Sequence, residues 1–104
     1  MPDIEFHQHG MVFKWNELKA EENVQKHGIT FEEAATAFRD DFAQLYDDEE
    51  HSSDETRFIL LGYSVISRLL IVCHCYRGDD ESTIRIISAR KATQHERHIY
   101  EERG

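Results

Sequence analysis

The spacing of apolar residues changes from helical to alternating after Arg39, and this change constrains the fold more than any other feature of the chain. Phe31, Ala34, Ala35 and Phe38 occur at i, i+3, i+4 and i+7, which is the spacing of one helix face. Beyond Arg39, apolar and polar residues alternate in several short runs, as in strands. Strands joined by short loops pair antiparallel and gather helices on one side. The sequence therefore predicts an α+β fold.

Helix-capping residues mark the ends of the first predicted helix. Asn16 can accept a hydrogen bond from a backbone N–H of the first turn, and Gly28 suits the left-handed position just after a helix. We expect the helix to run from Asn16 to Lys26 or His27. It is short and polar, with three apolar residues to bury: Leu18, Ala20 and Val24.

Two capping boxes mark two further helices. Thr30 precedes Glu33 by three residues, and Thr93 precedes Glu96 by three, so each pair can satisfy the free N–H groups of a first turn. The predicted helices run from Phe31 to about Arg39 and from Gln94 to about Glu102.

The alternating runs predict an antiparallel sheet of three to four strands, with two helices before it and one after it. The segments of this sheet are Phe42–Tyr46, Thr56–Ser64, Leu69–Arg77 and Thr83–Ala89, with an acidic loop over Asp47–Asp54, and Met11–Trp15 is predicted as a separate first strand before the helices. The predicted buried residues are Phe31, Phe38, Phe58, Leu60, Leu70, Val72, Ile84 and Ile86.

The length of 104 residues fits one domain. Residues 1–12 predict a loose N-terminal extension, because the first ten residues show no clear pattern, and residues 13–104 predict the single domain. No apolar run approaches the roughly 18 residues of a membrane helix, and no signal-peptide pattern opens the chain. We therefore expect a soluble, cytoplasmic protein.

The formal net charge of −9 is concentrated in two runs. Eight acids and no Lys or Arg lie between Asp40 and Glu55, and residues 79–81 add three more. Without these eleven, ten acids remain against 12 Lys and Arg, so the rest of the chain is slightly basic. Such runs are typical of solvated loops, and an acidic flank can also recruit a basic partner.

No common catalytic, cofactor or metal motif is present. Cys73 and Cys75 lie on one predicted strand, roughly 7 Å apart, which suits buried reduced thiols better than a disulfide. The pairs His7/His9, Cys73/Cys75 and His95/His98 lack a third and fourth ligand, so we expect neither a metal site nor a cofactor.

The remaining candidates for a functional site are lysines and arginines that lie near possible proton donors. Lys19, Asn23, Lys26 and His27 are spaced to line one face of the first helix. Single long cations on a small domain more often pair with acids than form a site.

Three stretches of the chain resemble the BrnT family of type II toxins, in order and with matching gaps over about residues 13–102. The matching residues are 13–20 (FKWNELKA), Asn23, 26–34 (KHGITFEEA), Asp48, His51, Ser52, Glu55, Arg57, Gly62, 68–70 (RLL), 85–93 (RIISARKAT), Glu96 and Tyr100.

The resemblance implies a RelE-like fold and a ribonuclease that inhibits translation. It implies a BrnA-type antitoxin as partner, which would neutralise the toxin and repress the promoter through a ribbon-helix-helix domain. The protein would then contact RNA directly and promoter DNA only through its antitoxin.

Metal-independent RNA cleavage needs a base, an acid and cations that stabilise charge on the phosphate. Arg57 and Arg90 are the predicted phosphate-stabilising residues, because a guanidinium binds phosphate oxygens in pairs. His27 or Lys19 is predicted to exchange the proton. The predicted RNA-binding residues are Trp15, Lys26, Arg85 and Lys91, although a Trp beside a strand–helix junction more often belongs to the core.

Two other classes of function stay open from the sequence. A catalytically weak member of the family would act only as an interaction protein that binds an antitoxin and assists promoter repression, and the acidic balance favours this. A small-ligand or metal sensor would use the histidines.

Overall fold

The computed structural model describes residues 2–52 and 55–103. Within this part of the chain the elements are β1 (Asp3–Gln8), β2 (Met11–Asn16), α1 (Glu17–His27), α2 (Phe31–Thr36), β3 (Gln44–Asp47), β4 (Phe58–Tyr63), β5 (Leu69–Arg77), β6 (Thr83–Lys91) and α3 (Gln94–Arg103), with 3-10 turns at Ala37–Arg39 and Glu49–His51. The predicted helices and strands are confirmed, with bounds that differ by one or two residues, and the second helix tightens into the first 3-10 turn. No helix of the described residues is long and apolar enough to cross a membrane.

The predicted caps hold the helix ends. The Asn16 side chain accepts from the backbone N–H of Lys19 at 3.1 Å, and Gly28 adopts a φ of 69°, where its lack of a Cβ avoids strain. Thr93 and Glu96 bond reciprocally at the start of α3. These local bonds explain why the helix positions are readable from the sequence.

The strands of the described residues form one mixed sheet in the order β1-β2-β6-β5-β4-β3. The prediction of three to four antiparallel strands is therefore wrong in number and in one pairing, because β2 and β6 run parallel over residues 12–14 and 83–85. A parallel pair needs a long crossover, which α1, α2 and the three intervening strands supply.

The N-terminal segment was predicted to be loose, yet Asp3–Gln8 forms β1 and pairs with β2 along its length. His9 and Gly10 both have positive φ, as a two-residue hairpin turn requires. Ile4 and Phe6 pack against the core, while the residues between them face solvent. The strand has only two apolar residues, Ile4 and Phe6, within six positions. So short an alternation of apolar and polar residues is difficult to recognise in the sequence.

Two apolar clusters lie on opposite faces of the sheet. Helices α1 and α2 cover one face, where the core includes Phe13, Trp15, Phe31, Leu70 and Ile86. On the other face, α3 packs over the cluster of Leu61, Leu69, Ile71 and Tyr100. The predicted core is confirmed for six of its eight residues, while Phe38 and Phe58 are half-buried.

Of the three apolar residues expected to be buried on α1, Ala20 packs against the core, while Leu18 and Val24 do not, and the buried residue of the helix is Asn23. Leu18 and Val24 are 46% and 44% exposed, and Asn23 is 5% exposed. Its amide donates to Ala89 O and Ile29 O and accepts from Ala89 N, at 2.8 to 3.0 Å. The pairing of β6 with β2 ends at Arg85. At Ala89, the Asn23 side chain therefore makes the backbone hydrogen bonds that a neighbouring strand would otherwise make. The prediction of Asn23 in a cationic surface is therefore wrong.

Candidate functional site

The sheet face opposite α1 and α2 carries two adjoining clefts beyond the edge of α3, and we call this surface the open face. The first cleft, of about 310 Å³, is lined by Asp48, Glu50, His51, Arg57, Ile59, Ile71, Cys73, Ile87, Ser88 and Arg90. The second, of about 180 Å³, is lined by Asn16, Lys19, Glu55, Arg57, Arg77, Arg85, Ile86 and Ile87. Because Arg57 and Ile87 line both clefts, the two clefts adjoin.

Three of the four arginines on the open face are bound by carboxylates of the protein. Each makes two N–H···O bonds to one acid, at 2.6 to 3.1 Å, and the pairs are Arg77 with Glu55, Arg85 with Asp3, and Arg90 with Glu96. The Arg90 guanidinium lowers the pKa of Glu96 to about 2. These pairs hold the guanidiniums in place and neutralise part of their charge.

Arg57 is the fourth arginine, and its side chain has no carboxylate within ion-pair distance in residues 2–52 and 55–103. Its backbone is fixed instead: Arg57 N donates to Ser52 Oγ at 2.8 Å, and Arg57 O accepts from Asp48 N at 2.9 Å. Ser52 Oγ in turn donates to Asp48 O at 2.7 Å. The segment that carries Asp48 is thereby bonded to the start of β4, which places Arg57 at the junction of the clefts.

A buried carboxylate holds a histidine in the first cleft. Nδ1 of His51 lies 3.1 Å from each carboxylate oxygen of Asp48. The side chain of Asp48 is 8% exposed and that of His51 is 60% exposed. A carboxylate can only accept here, so Nδ1–H donates and Nε2 keeps its lone pair on the solvent side. Nε2 is therefore the ring nitrogen that is available to a ligand in the cleft.

Cys73 completes the wall of the first cleft behind Asp48. Its Sγ lies 3.6 Å from Asp48 Oδ2. Burial, together with the Asp48 carboxylate, raises the pKa of Cys73 to about 11. The thiol is therefore neutral at ordinary pH and acts as a weak donor to Asp48. Cys73 and Cys75 are both free thiols, as expected.

The structure brings four of the sequence-predicted site residues to the open face. Arg57 and Arg90 share the first cleft, while Lys19 and Arg85 join Arg57 in the second. His27, Lys26 and Lys91 are exposed, and none of the three is among the described residues that line either cleft.

The place of Lys91 follows from its strand. It succeeds Arg90 on β6 and so faces the other side of the sheet, where it helps Arg68 to lower the pKa of Glu33. Glu33 also accepts from Ser64 Oγ, so this cluster fixes α2 to the turn between β4 and β5. Lys91 therefore lies on the helix side of the sheet, away from the clefts.

The prediction that Trp15 offers a stacking surface is wrong, because the residue is 1% exposed. Its ring packs edge-on against Phe31, with centroids 5.8 Å apart, and lies 5.7 Å from the ring of Phe6. The residue belongs to β2, whose side chains alternate between the faces, and Trp15 points to the helix side.

Asp48, His51 and Arg77 are cleft residues to which sequence reasoning assigned no role. Asp48 and His51 lie inside the acidic run, where they look like loop residues, although both belong to the matching pattern with the toxin family. The signal available in the sequence was the spacing of three residues between Asp48 and His51, which brings two side chains together on one helical turn. Arg77 shares a face of β5 with Cys73 and Cys75, so strand alternation could have identified it.

The metal-ligand pairs of the sequence do not converge. Within the described residues no group of three His, Cys, Asp or Glu side chains is arranged to hold a metal ion. His74 lies on the helix side of the sheet, buried against Phe38, while its neighbours Cys73 and Cys75 face the other way. The functional groups of the clefts include four guanidiniums, the ammonium of Lys19, carboxylates and the oriented imidazole of His51.

Comparison with known proteins agrees with this architecture. No curated protein sequence matches the chain. The crystal structure of the ribonuclease toxin BrnT from Brucella abortus is similar, with a TM-score of 0.59 and 22% identity over 77% of this chain and 94% of that one. Residues 15–96 match the model of the family described as "Ribonuclease toxin, BrnT, of type II toxin-antitoxin system". The chain therefore belongs to the BrnT family of ribonuclease toxins of type II toxin–antitoxin systems.

Proposed function

We propose that the protein is an endoribonuclease that inhibits translation and that its RNA lies on the open face. The observation that carries the proposal is the position of Arg57, which joins the two clefts without a carboxylate partner in the described part of the chain. An arginine whose backbone is held by hydrogen bonds and whose guanidinium has no acidic partner can bind two phosphate oxygens. Family membership supports ribonuclease activity in general.

Arg57 and Arg90 together stabilise the scissile phosphate in this proposal. Arg90 is tied to Glu96 through both terminal nitrogens, so it contributes a fixed but partly neutralised charge. Arg57 is the stronger phosphate binder in this proposal, because no carboxylate of the described residues lies within ion-pair distance of its guanidinium. Loss of one oriented donor at a developing oxyanion costs roughly 2.7 to 4 kcal/mol. An exposed ion pair contributes only about 0 to 1 kcal/mol.

The partner in this proposal is a BrnA-type antitoxin, whose ribbon-helix-helix domain binds the promoter. Family membership implies an antitoxin. A basic antitoxin segment would cover the open face and meet the acidic run Asp40–Glu55 at its edge. In that complex the toxin is inactive and touches promoter DNA only through its partner. We place the reaction in the cytoplasm, without a metal cofactor, on a fold related to RelE.

The test is induced expression and purified-protein cleavage with Arg57→Ala. The matched control is Arg39→Ala, because Arg39 is an exposed arginine that lines neither cleft. We expect wild type and the control to arrest growth and to cut RNA in the presence of EDTA, and co-expression of the BrnA-type antitoxin to restore growth. Arg57→Ala should lose activity while keeping its melting temperature and antitoxin binding. Equal activity of the two variants would contradict the proposal.

A second candidate, a pure interaction protein, is favoured by one observation. Three of the four guanidiniums on the open face are already bound by carboxylates, which lowers the attraction for RNA. If wild type binds its antitoxin but neither cuts RNA nor arrests growth, this second function is correct.

A further inference from the structure

Sequence reasoning assigned proton transfer to His27 or Lys19, and neither residue stands where the reaction needs it. His27 lies at the last residue of α1 and is exposed outside both clefts. Lys19 lines only the second cleft. In the first cleft, which Arg57 and Arg90 both line, His51 has an oriented ring that is open to solvent.

We propose that His51 is the general base of the reaction and that Asp48 is its positioning residue. This inference rests on the proposed function, and it adds the proton-transfer group to that site. Nδ1 of His51 is held by both oxygens of Asp48 at 3.1 Å, which leaves Nε2 as the nitrogen that accepts a proton. A buried carboxylate that fixes the tautomer of an imidazole is the arrangement that makes histidine an efficient base.

The surroundings of Asp48 are built to keep it in place. Its backbone N–H donates to Arg57 O, its carbonyl accepts from Ser52 Oγ, and its carboxylate accepts a weak hydrogen bond from the thiol of Cys73. A loop with these bonds costs more to move than a free one. The charged groups that face His51 in the cleft are Asp48, Glu50, Arg57 and Arg90.

The reaction balances with these groups and water. Nε2 of His51 accepts the proton of the ribose 2′-hydroxyl, and the 2′ oxygen attacks the adjacent phosphorus. The bond from phosphorus to the 5′ oxygen breaks, and that oxygen takes a proton from water. The products are a 2′,3′-cyclic phosphate and a 5′-hydroxyl, and His51 returns its proton to solvent. Arg57 binds the phosphate oxygens, on which negative charge grows during attack.

The experiment measures single-turnover cleavage of a labelled RNA oligonucleotide between pH 5 and 9, together with binding of an uncleavable 2′-deoxy analogue. His51→Ala is compared with His27→Ala, the exposed histidine outside the clefts. General-base catalysis contributes about 10²- to 10⁴-fold, so His51→Ala should lose at least a hundredfold in rate. His27→Ala should stay within twofold of wild type. Binding of the analogue should change by less than threefold in both.

Three further readouts separate chemistry from structure. Added imidazole should restore part of the rate of His51→Ala, because the site of the missing ring is open to solvent. The acid limb of the pH–rate profile, present in wild type, should disappear in that variant. Asp48→Asn should lower the rate without weakening binding of the analogue, and its melting curve shows whether it folds.

The outcomes decide between the inference and the function on which it rests. A wild-type rate in His51→Ala, or a loss that imidazole does not rescue and that matches a loss of binding, overturns the assignment of His51. If Arg57→Ala is inactive at the same time, the proposed function stands and only the inference fails. If wild type cuts no RNA at all, both fail.

Discussion

The carboxylate of Asp3 binds the guanidinium of Arg85 through two hydrogen bonds of 3.0 and 3.1 Å, although the two residues are 82 positions apart. Asp3 lies on β1 and Arg85 on β6, so the contact passes over β2, which separates them in the sheet. The Arg85 guanidinium lowers the pKa of Asp3. The matched family region begins at residue 15, so β1 adds an acid to the open face from outside that region.

Asp3→Asn should strengthen RNA binding. The carboxylate of Asp3 competes with phosphate for the N–H groups of Arg85, and its removal frees one cation. The slope of log affinity against log salt should steepen by about 0.7 for one added contact with a single strand. The measurement is a salt titration of RNA binding. Asp79→Asn makes the same change of net charge at an exposed turn, and an equal gain there would show that only net charge matters.

Arg57→Ala should reduce RNA cleavage more than Arg90→Ala. We expect a loss of a hundredfold to a thousandfold for Arg57. The loss should be smaller for Arg90, whose terminal nitrogens are bonded to Glu96. Arg90→Ala should also lower the melting temperature, because the ionised Glu96 loses its partner. Cleavage rates and melting curves of both variants test this order, and a reversed order would contradict it.

Asn23→Ala should destabilise the protein by roughly 2 to 4 kcal/mol. The substitution leaves the N–H and C=O groups of Ala89 and the carbonyl of Ile29 without their buried partner, and each unpaired group costs about 1 to 3 kcal/mol. Val24→Ala, at the neighbouring exposed position, should cost less than about 1 kcal/mol. Urea unfolding measures both, and similar losses would show that the amide of Asn23 is not important.

The stability of the protein should fall as the pH drops below about 6.5, because of His74. Burial lowers the pKa of His74 from its ordinary value of 6.5, and its neutral ring donates to Val72 O and accepts from the Tyr76 hydroxyl. Below pH 6.5 the unfolded chain binds a proton that the folded chain does not, so unfolding is favoured.

His74→Gln should flatten the dependence of the melting temperature on pH between 7.5 and 5. His98→Gln, at an exposed position, should leave the dependence unchanged. Parallel curves for His74→Gln and wild type would assign the effect to other groups.

Association with the antitoxin should slow as salt rises, because opposite charges speed the encounter more than they set the final affinity. Replacing the exposed acids Asp41 and Asp47 by Asn should lower the association rate and leave dissociation nearly unchanged. Asp79→Asn, in the other acidic run, serves as the control. Stopped-flow mixing measures both rates, and an association rate that is independent of salt would contradict the electrostatic part of the proposal.

Part of the site was predictable because it depends on local chemistry. Arginine binds two phosphate oxygens at once, and Arg57 stands at the start of a strong strand, so its place in the clefts was predictable from residue type and position. The pairing of His51 with Asp48 was not recognised, since both lie in a run of acids that looks like a solvated loop. Only the bonds from Asp48 and Ser52 to Arg57 show that this run is fixed against β4.

The sequence alone determined the order of the helices and of strands β2 to β6, the caps at Asn16 and Thr93, and the bounds of β5, because capping and alternation act between residues close in the chain. Tertiary structure decided which strands pair: β6 lies beside β2, and β1 extends the sheet at its edge. It also turned Asn23 inward and separated His27 from Arg57. These features depend on burying both sheet faces and on satisfying the backbone of β6 where β2 ends, and such long-range conditions leave little trace in local periodicity.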